Sequence, residues 1–253
     1  MFIQDIFITA ISYCIKPRKR PFIRLSFSFR SQKGLEIGGP SSFFSLKGYF
    51  PIYLFAKKID GVNYSSETIW EGKIKEGDNY KYHTKKGHQY IKEATDLTGV
   101  ESNSFDFILS CHSLEHVANP LKALKEWRRV LKKDGHLILI LPDKNFSFDI
   151  NREYTSMQHL ISDFENDTEE NDSTHINEVI NTLDDTRLPK KFSKDDNIKM
   201  IMNNYQSRSV HHHVFDWTLI NKMLEWSGFS IKKQSAAGEL NMFTLAQKKD
   251  LPV

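Results

Sequence analysis

Two apolar runs rise out of a polar background, Phe105-Asp106-Phe107-Ile108-Leu109-Ser110-Cys111 and Leu137-Ile138-Leu139-Ile140-Leu141. Short, nearly continuous runs of this kind fit strands covered on both faces. Between them Leu121, Leu124, Trp127, Val130 and Leu131 recur at helical spacing. Asn119 caps that helix, Pro120 takes its first position, and Gly135 closes it after Lys132 and Lys133. Strand, helix and strand in this order predict a right-handed crossover within a doubly wound, mostly parallel α/β sheet. Upstream, Leu35-Glu36-Ile37 ends a strand that runs into the turn Gly38-Gly39-Pro40-Ser41-Ser42, and Lys58-Ile59-Asp60-Gly61-Val62-Asn63 reads as a second short strand. The polar stretch 72–87 reads as a solvated loop with an edge segment.

Downstream the alternation breaks. Residues 144–208 are strongly polar, with a weakly amphipathic piece at 157–164 and an acidic stretch at 165–172, and predict a helical insertion over the carboxyl edge of the sheet. Asp216 then caps a helix bearing Leu219, Ile220, Met223 and Leu224 that ends at Gly228, and 229–234 with 240–247 form a closing hairpin around Gly238. Residues 1–33 stand apart as an N-terminal helix and basic segment, leaving 34–253 as the main domain. Phe2, Ile3, Ile6, Phe7, Ala10, Ile11 and Ile15 fall at helical spacing before Lys16-Pro17-Arg18-Lys19-Arg20. That pattern fits either a helix packed on the domain's own core or one that makes weak contact with a membrane surface. The run is too short for a membrane span, and its charge follows the apolar part, unlike a secretory signal.

At 253 residues the chain can bury one large core. A net charge of +3, spread along the sequence, forms no concentrated basic stripe, so no nucleic-acid partner is expected. Cys14 and Cys111 make no C-x-x-C pattern, which places the chain in a reducing compartment, the cytoplasm, with the inner membrane face as a peripheral location. Paired glycines behind a carboxylate suit a small-molecule ligand that must approach the backbone closely.

Asn103-Ser104-Phe105-Asp106-Phe107-Ile108-Leu109-Ser110, Leu114-Glu115-His116-Val117, Asn119-Pro120-Leu121, Arg129-Val130-Leu131-Lys132 and Gly135 follow one another in a family order. Over 34–228 the chain resembles the class I S-adenosylmethionine-dependent methyltransferases of the group called methyltransferase type 11. The resemblance implies a seven-stranded Rossmann-like methyltransferase sheet with a C-terminal antiparallel hairpin, a helical lid at about 144–208, and S-adenosyl-L-methionine as cofactor. It implies that Glu36 and the Gly38-Gly39 backbone lie beside the methionine and ribose portion, with Pro40 stiffening a turn where a third glycine is usual. Gly61-Val62-Asn63 replaces the usual Gly-Val-Asp, so Asn63 rather than Asp60 faces the ribose. Glu93-Ala94 stands for the usual Asp-Ala beside adenine, with Asp96 close by, and Cys111 lines the pocket by position.

Methyl transfer requires an aligned acceptor, exclusion of water and, for a hydroxyl or amine, removal of a proton. Histidine suits the last task. His116 after the fourth strand, His159 and His175 in the insertion, and His211 and His213 in the triplet should meet above the carboxyl edge. His112, Glu115 and His116 also have a spacing similar to the metal-binding Glu-x-x-Glu-His of small-RNA methyltransferases, to which the triplet could add a ligand. An unmetallated hydrogen-bond network uses the same residues, and no metal ligand is assigned. The polar density of Asp149, Arg152, Thr155, His159, Asp163, Asp172, His175 and Glu178 suits a small or hydroxyl-rich acceptor, such as a sugar or surface-polysaccharide precursor. The alternatives are a non-catalytic methyltransferase-like binding module held at a membrane, and a nicotinamide-dependent oxidoreductase. The latter lacks its G-x-G-x-x-G.

Overall fold

The computed structural model describes residues 13, 16–188 and 192–250. An eight-stranded sheet runs through the molecule in the order β5-β6-β2-β1-β7-β8-β10-β9. Its parallel centre comprises β1 (Lys33–Ile37), β2 (Lys58–Asn63), β6 (Lys85–Ile91), β7 (Phe105–Cys111) and β8 (Leu131–Pro142). β10 (Asn241–Lys248) joins β8 antiparallel and β9 (Phe229–Ala236) pairs with β10, which is the expected closing hairpin. The eighth strand, β5 (Gly77–Tyr82), pairs antiparallel with β6 in the stretch read as a solvated loop. Tyr80 and Tyr82 pull it into the sheet, because both rings point the same way along the pleat and both are buried. A two-stranded ribbon, β3 (Glu67–Thr68) and β4 (Gly72–Lys73), carries Trp70 between its strands.

The apolar runs are continuous because each strand has two covered faces. Phe105 and Ile108 of β7, with Leu137, Leu139 and Leu141 of β8, pack beneath helix α3 (Pro120–Val130) and helix α8 (Trp217–Trp226). Phe107, Leu109, Ile138 and Ile140 point the other way, into a layer rich in phenylalanine and tyrosine. Helix α1 (Arg20–Phe27) closes that layer, with the Phe22 ring 5.1 Å from Phe243 and Phe29 5.4 Å from Phe107. Residues 20–29 thus pack into the sheet's own core and do not stand apart with residues 1–33. Lys19 donates to the carbonyls of Lys47 and Gly48, so this part of the basic run is engaged by its own domain. The proposed helix over Phe2 to Ile15 lies largely outside the described residues. No described helix is long and apolar enough to cross a membrane.

Local signals set the helix starts. The side chain of Asn119 accepts from the Lys122 amide and that of Asp216 from the Leu219 amide, as their capping roles require. The end of α3 differs from the sequence reading: Leu131 is already extended (ψ 136°) and pairs with Phe105. The left-handed residue of the following turn is Asp134 (φ 56°), not Gly135. Between β8 and α8 run four short helices, α4 (Met157–Glu165), α5 (Ile176–Thr182), α6 (Lys194–Met202) and α7 (Asn204–Ser207). The remaining four-residue helix, α2 (Ile52–Phe55), precedes β2.

Phe107 lies fully buried, and a Cβ at Gly34 would come within 2.0 Å of its ring. Phe107→Ala should therefore lower the unfolding free energy by about 3–5 kcal/mol, read from urea denaturation at constant m-value. A loss below about 1 kcal/mol would mean that this layer does not pack as described.

Candidate active site

The turn after β1 is built over a buried carboxylate. Glu36 is 1% exposed. Its Oε1 accepts from the Ser41 amide at 2.9 Å, its Oε2 accepts from the Tyr80 hydroxyl at 2.7 Å, and the Tyr53 hydroxyl lies 2.7 Å from both oxygens. Burial pushes this carboxyl up to about 7, against the hydrogen bonds from Tyr80, Tyr53 and Ser41, which favour its charged form. A Cβ on Gly39 would lie 2.3 Å from the Glu36 carboxyl carbon and 2.5 Å from the Tyr80 hydroxyl. Glu36 therefore sits beneath the glycine turn and holds it. It does not line the cavity above, which corrects the expectation that it faces the ligand. Gly39 and Pro40 line a separate crevice with Lys73 and Tyr80, whereas Gly38 enters the cavity above β1.

That cavity opens at the carboxyl ends of β1, β2, β6 and β7. Ile37, Val62, Ala94 and Val117 give it apolar walls, and Asn63, Glu93 and Ser113 give it polar ones. Gly38 adopts φ +74°, and a Cβ there would come within 2.3 Å of the Ser113 hydroxyl, so only glycine fits. Asn63 donates to the Gly39 carbonyl at 3.1 Å, which leaves its carbonyl oxygen to accept. Asp60 is spent elsewhere, on Lys33 (3.2 Å), Lys58 (3.1 Å) and the His88 amide (2.8 Å). Glu93 meets Arg208 at 2.8 Å, and burial raises its pKa despite that cation. Arg208 also pairs with Glu170 at 2.6 Å and covers the Tyr64 ring at 4.8 Å, so the end of the insertion closes over this cavity. Asp96 lies outside it: its carboxylate caps the Thr98 amide beside Lys122 and Arg129.

A second cavity adjoins the first and shares Gly38, Trp70, His112 and His116 with it. Cys111 belongs to this second space, where burial raises its thiol pKa. Phe146, Phe148, Leu188 and Ile201 from the insertion make its walls largely apolar. Glu115 and His211 supply its chemistry. His211 Nδ1 lies 2.5 Å from Asp149 Oδ2, and Arg152 holds the other oxygen of Asp149 at 3.0 Å. Burial opposes a charge on His211, but the Asp149 carboxylate outweighs it and raises the ring's pKa. His116 points Nδ1 at the Val210 carbonyl (3.1 Å), and burial drives its pKa well down. His112, in the left-handed region at φ 51°, is likewise lowered by burial, to about 4. Both oxygens of Glu115 are buried without a hydrogen-bond partner, and burial raises that carboxyl to about 7. The ligating atoms of Glu115, His116 and His211 lie within 4.8 Å of one another.

His159, His175 and His213 meet each other, with ring centroids 5.1–5.8 Å apart, but line neither cavity. Their proposed contact with a reacting molecule is therefore not what the geometry offers. Tyr53, Tyr80, Trp70 and Glu170 were not singled out from the sequence. For Tyr80 the available signal was its two-residue spacing from Tyr82 in a polar stretch. For the other three there was none, since each is placed by distant contacts.

Residues 45–139 match a family model described as a methyltransferase domain. The chain is 49% identical over 45 residues to an uncharacterized protein of Methanocaldococcus jannaschii, a match covering 18% of this chain and 20% of that protein. It thus spans only about a fifth of the curated relative that it matches. A solved structure from Listeria monocytogenes, described as an S-adenosylmethionine-dependent methyltransferase, is 15% identical over 92% of this chain and 98% of its own, with a TM-score of 0.51. A chain of the Haloferax volcanii complex between the Trm112 methyltransferase activator and a methyltransferase is 9% identical over 97% of this chain and 96% of its own, with a TM-score of 0.51. At these identities the likeness lies in the fold.

The buried Glu36 carboxyl makes stability depend on pH. Its folded pKa of about 7 exceeds the ordinary carboxyl value, so the folded state holds the extra proton and loses stability as pH rises towards 7. Glu36→Gln has no charge to bury. Relative to the parent chain it should gain about 1–3 kcal/mol between pH 5 and pH 8 in urea denaturation. A difference that does not change with pH would refute the assignment.

Proposed function

We propose that this chain, which carries a methyltransferase-domain match over residues 45–139 on a class I methyltransferase-like sheet, uses S-adenosylmethionine to methylate an oxygen or nitrogen of a small acceptor in the second cavity, with His211 taking the acceptor's proton. The observation that carries this reading is the junction of the two cavities at Gly38, Trp70, His112 and His116. The first cavity suits the cofactor. Gly38 lets a ligand approach the backbone, Asn63 offers an acceptor for a ribose hydroxyl, and Ala94 with Val62 forms an apolar slot for an adenine ring. When bound, S-adenosylmethionine supplies an electrophilic methyl group on a sulfonium.

The protein's own residues do the rest. His211, with its Nδ1 proton directed at Asp149, presents Nε2 as the base, and Glu115 in the same cluster favours the imidazolium that forms. Phe146, Phe148 and Ile201 exclude water and strengthen these interactions. The acceptor we favour has an apolar face. The insertion's polar side chains, which suggested a hydroxyl-rich sugar, pair among themselves: Asp149 and Glu178 with Arg152, and Asp172 with His212.

Calorimetry with S-adenosylmethionine, followed by the product mass after incubation of cell extract with methyl-labelled cofactor, tests the reading. Gly38→Val should abolish cofactor binding, because its side chain would meet Ser113. His211→Ala should leave that affinity within about twofold and lower turnover by about 10²–10⁴. Binding without turnover would favour a binding module, and no binding would overturn the reading. The pH profile offers a separate check. His211 works as a base only when neutral, and its pKa lies above the ordinary value, so activity should fall as pH drops through that raised pKa. Asp149→Asn removes the charge that raises it, so the acid limb should move to lower pH while turnover drops. An unmoved limb would assign the titration to another group.

A further inference from the structure

We propose that His159, His175 and His213 hold one divalent first-row transition-metal ion, zinc in the simplest case, which ties the insertion to the core of the domain. The three rings converge. His159 Nε2 lies 3.2 Å from His175 Nε2, and the Asp163 carboxylate stands beside them, its Oδ2 3.4 Å from His159 Nε2. The ligating atoms of the three histidines all fall within 4.8 Å of one another. A tetrahedral zinc with bonds of about 2.0–2.1 Å keeps its donors about 3.3 Å apart, the spacing that His159 and His175 already have.

Protons alone do not satisfy this group. His175 Nδ1 is 3.2 Å from Glu178 Oε2, a contact that places the ring proton on Nδ1 and leaves Nε2 as a lone pair. His213 Nε2 is 3.2 Å from the Ala118 carbonyl, which places its proton there and leaves Nδ1 as a lone pair, buried and without a partner. Asp163 Oδ2 is also buried without a hydrogen-bond partner. A proton on His159 Nε2 can answer one of these atoms but not all of them. A cation answers them together. The contacts to Glu178 and Ala118 are the carboxylate and carbonyl supports that fix a metal-bound imidazole, and Glu178 is itself anchored on Arg152 at 3.1 Å.

A donor set of three imidazoles suits zinc, cobalt or nickel, and excludes magnesium and calcium as preferred occupants. Access exists through His159, whose side chain is 39% exposed, while His213 at 1% forms the floor. The ligands come from separate parts of the chain. His159 belongs to α4, His175 precedes α5, and His213 belongs to the segment that returns to the core and is fastened at Ala118. An ion here would close the insertion as a loop. The cluster is distinct from Glu115, His116 and His211, which open into the acceptor cavity.

The test uses the full chain without a polyhistidine tag, stripped with a chelator and titrated with zinc against a chromophoric competitor. One equivalent should bind. The double variant His159→Ala and His175→Ala should lose at least about 100-fold in zinc affinity, whereas His211→Ala should stay within about threefold. Zinc should also raise the melting temperature of the parent chain, but not that of the double variant. Cobalt substitution gives a readout that needs no variant: an intense visible band of tetrahedral Co²⁺ is expected. Should the double variant fail to fold, that spectrum decides. No zinc above background, an absent or octahedral cobalt band, or loss of zinc in His211→Ala with retention in the double variant would each overturn the site.

Discussion

Arg152 is a cation at 3% exposure, and the polar architecture above the sheet depends on how its charge is answered. A buried guanidinium is tolerated only when paired and fully hydrogen-bonded. Here Asp149 and Glu178 neutralise it, and the carbonyls of His211 and His212 accept from it at 2.7 and 3.4 Å. Each of its two carboxylates also orients a histidine, Asp149 turning His211 and Glu178 turning His175. One cation therefore fixes the backbone of the histidine triplet and the ring orientation in both histidine clusters. Both clusters take their geometry from this one arginine.

Arg208 plays the corresponding part at the other end of the insertion. It stands in the left-handed region at φ 50° and bridges Glu93, which follows β6, to Glu170 of the insertion, while its plane covers Tyr64 after β2. The side chain that walls the first cavity thus belongs to the same segment whose phenylalanines wall the second.

What was legible in the sequence follows the range of the forces involved. The runs at Phe105 and Leu137 and the caps at Asn119 and Asp216 are local patterns, and the strands and helix starts followed them. The meeting of the histidines was legible from topology, because both ends of the insertion leave the same sheet edge. Their sorting into two clusters was not. It rests on the pairing of Asp149 with His211 across 62 positions and on that of Ala118 with His213 across 95. Glu36 shows the same limit: a carboxylate before two glycines resembles a ligand contact until Tyr53 and Tyr80, 17 and 44 positions away, close around it. Asp96 was drawn in by nearness in sequence to Glu93, yet the turn at Thr98 carries its side chain to the opposite rim.

The additional strand β5 has a consequence for how the protein behaves among its own copies. Without it, β6 would end the sheet and present a row of unpaired amides and carbonyls beside the first cavity, open to pairing with another chain. With it, β6 is bonded on both sides, and the new edge shows exposed Asp78, Asn79 and Lys81 while Tyr80 and Tyr82 turn inward. Charged side chains on a short outer strand discourage a second molecule from adding to the sheet. Tyr80, which donates to Glu36, therefore also fastens the strand that keeps this flank of the sheet from becoming a site of self-association.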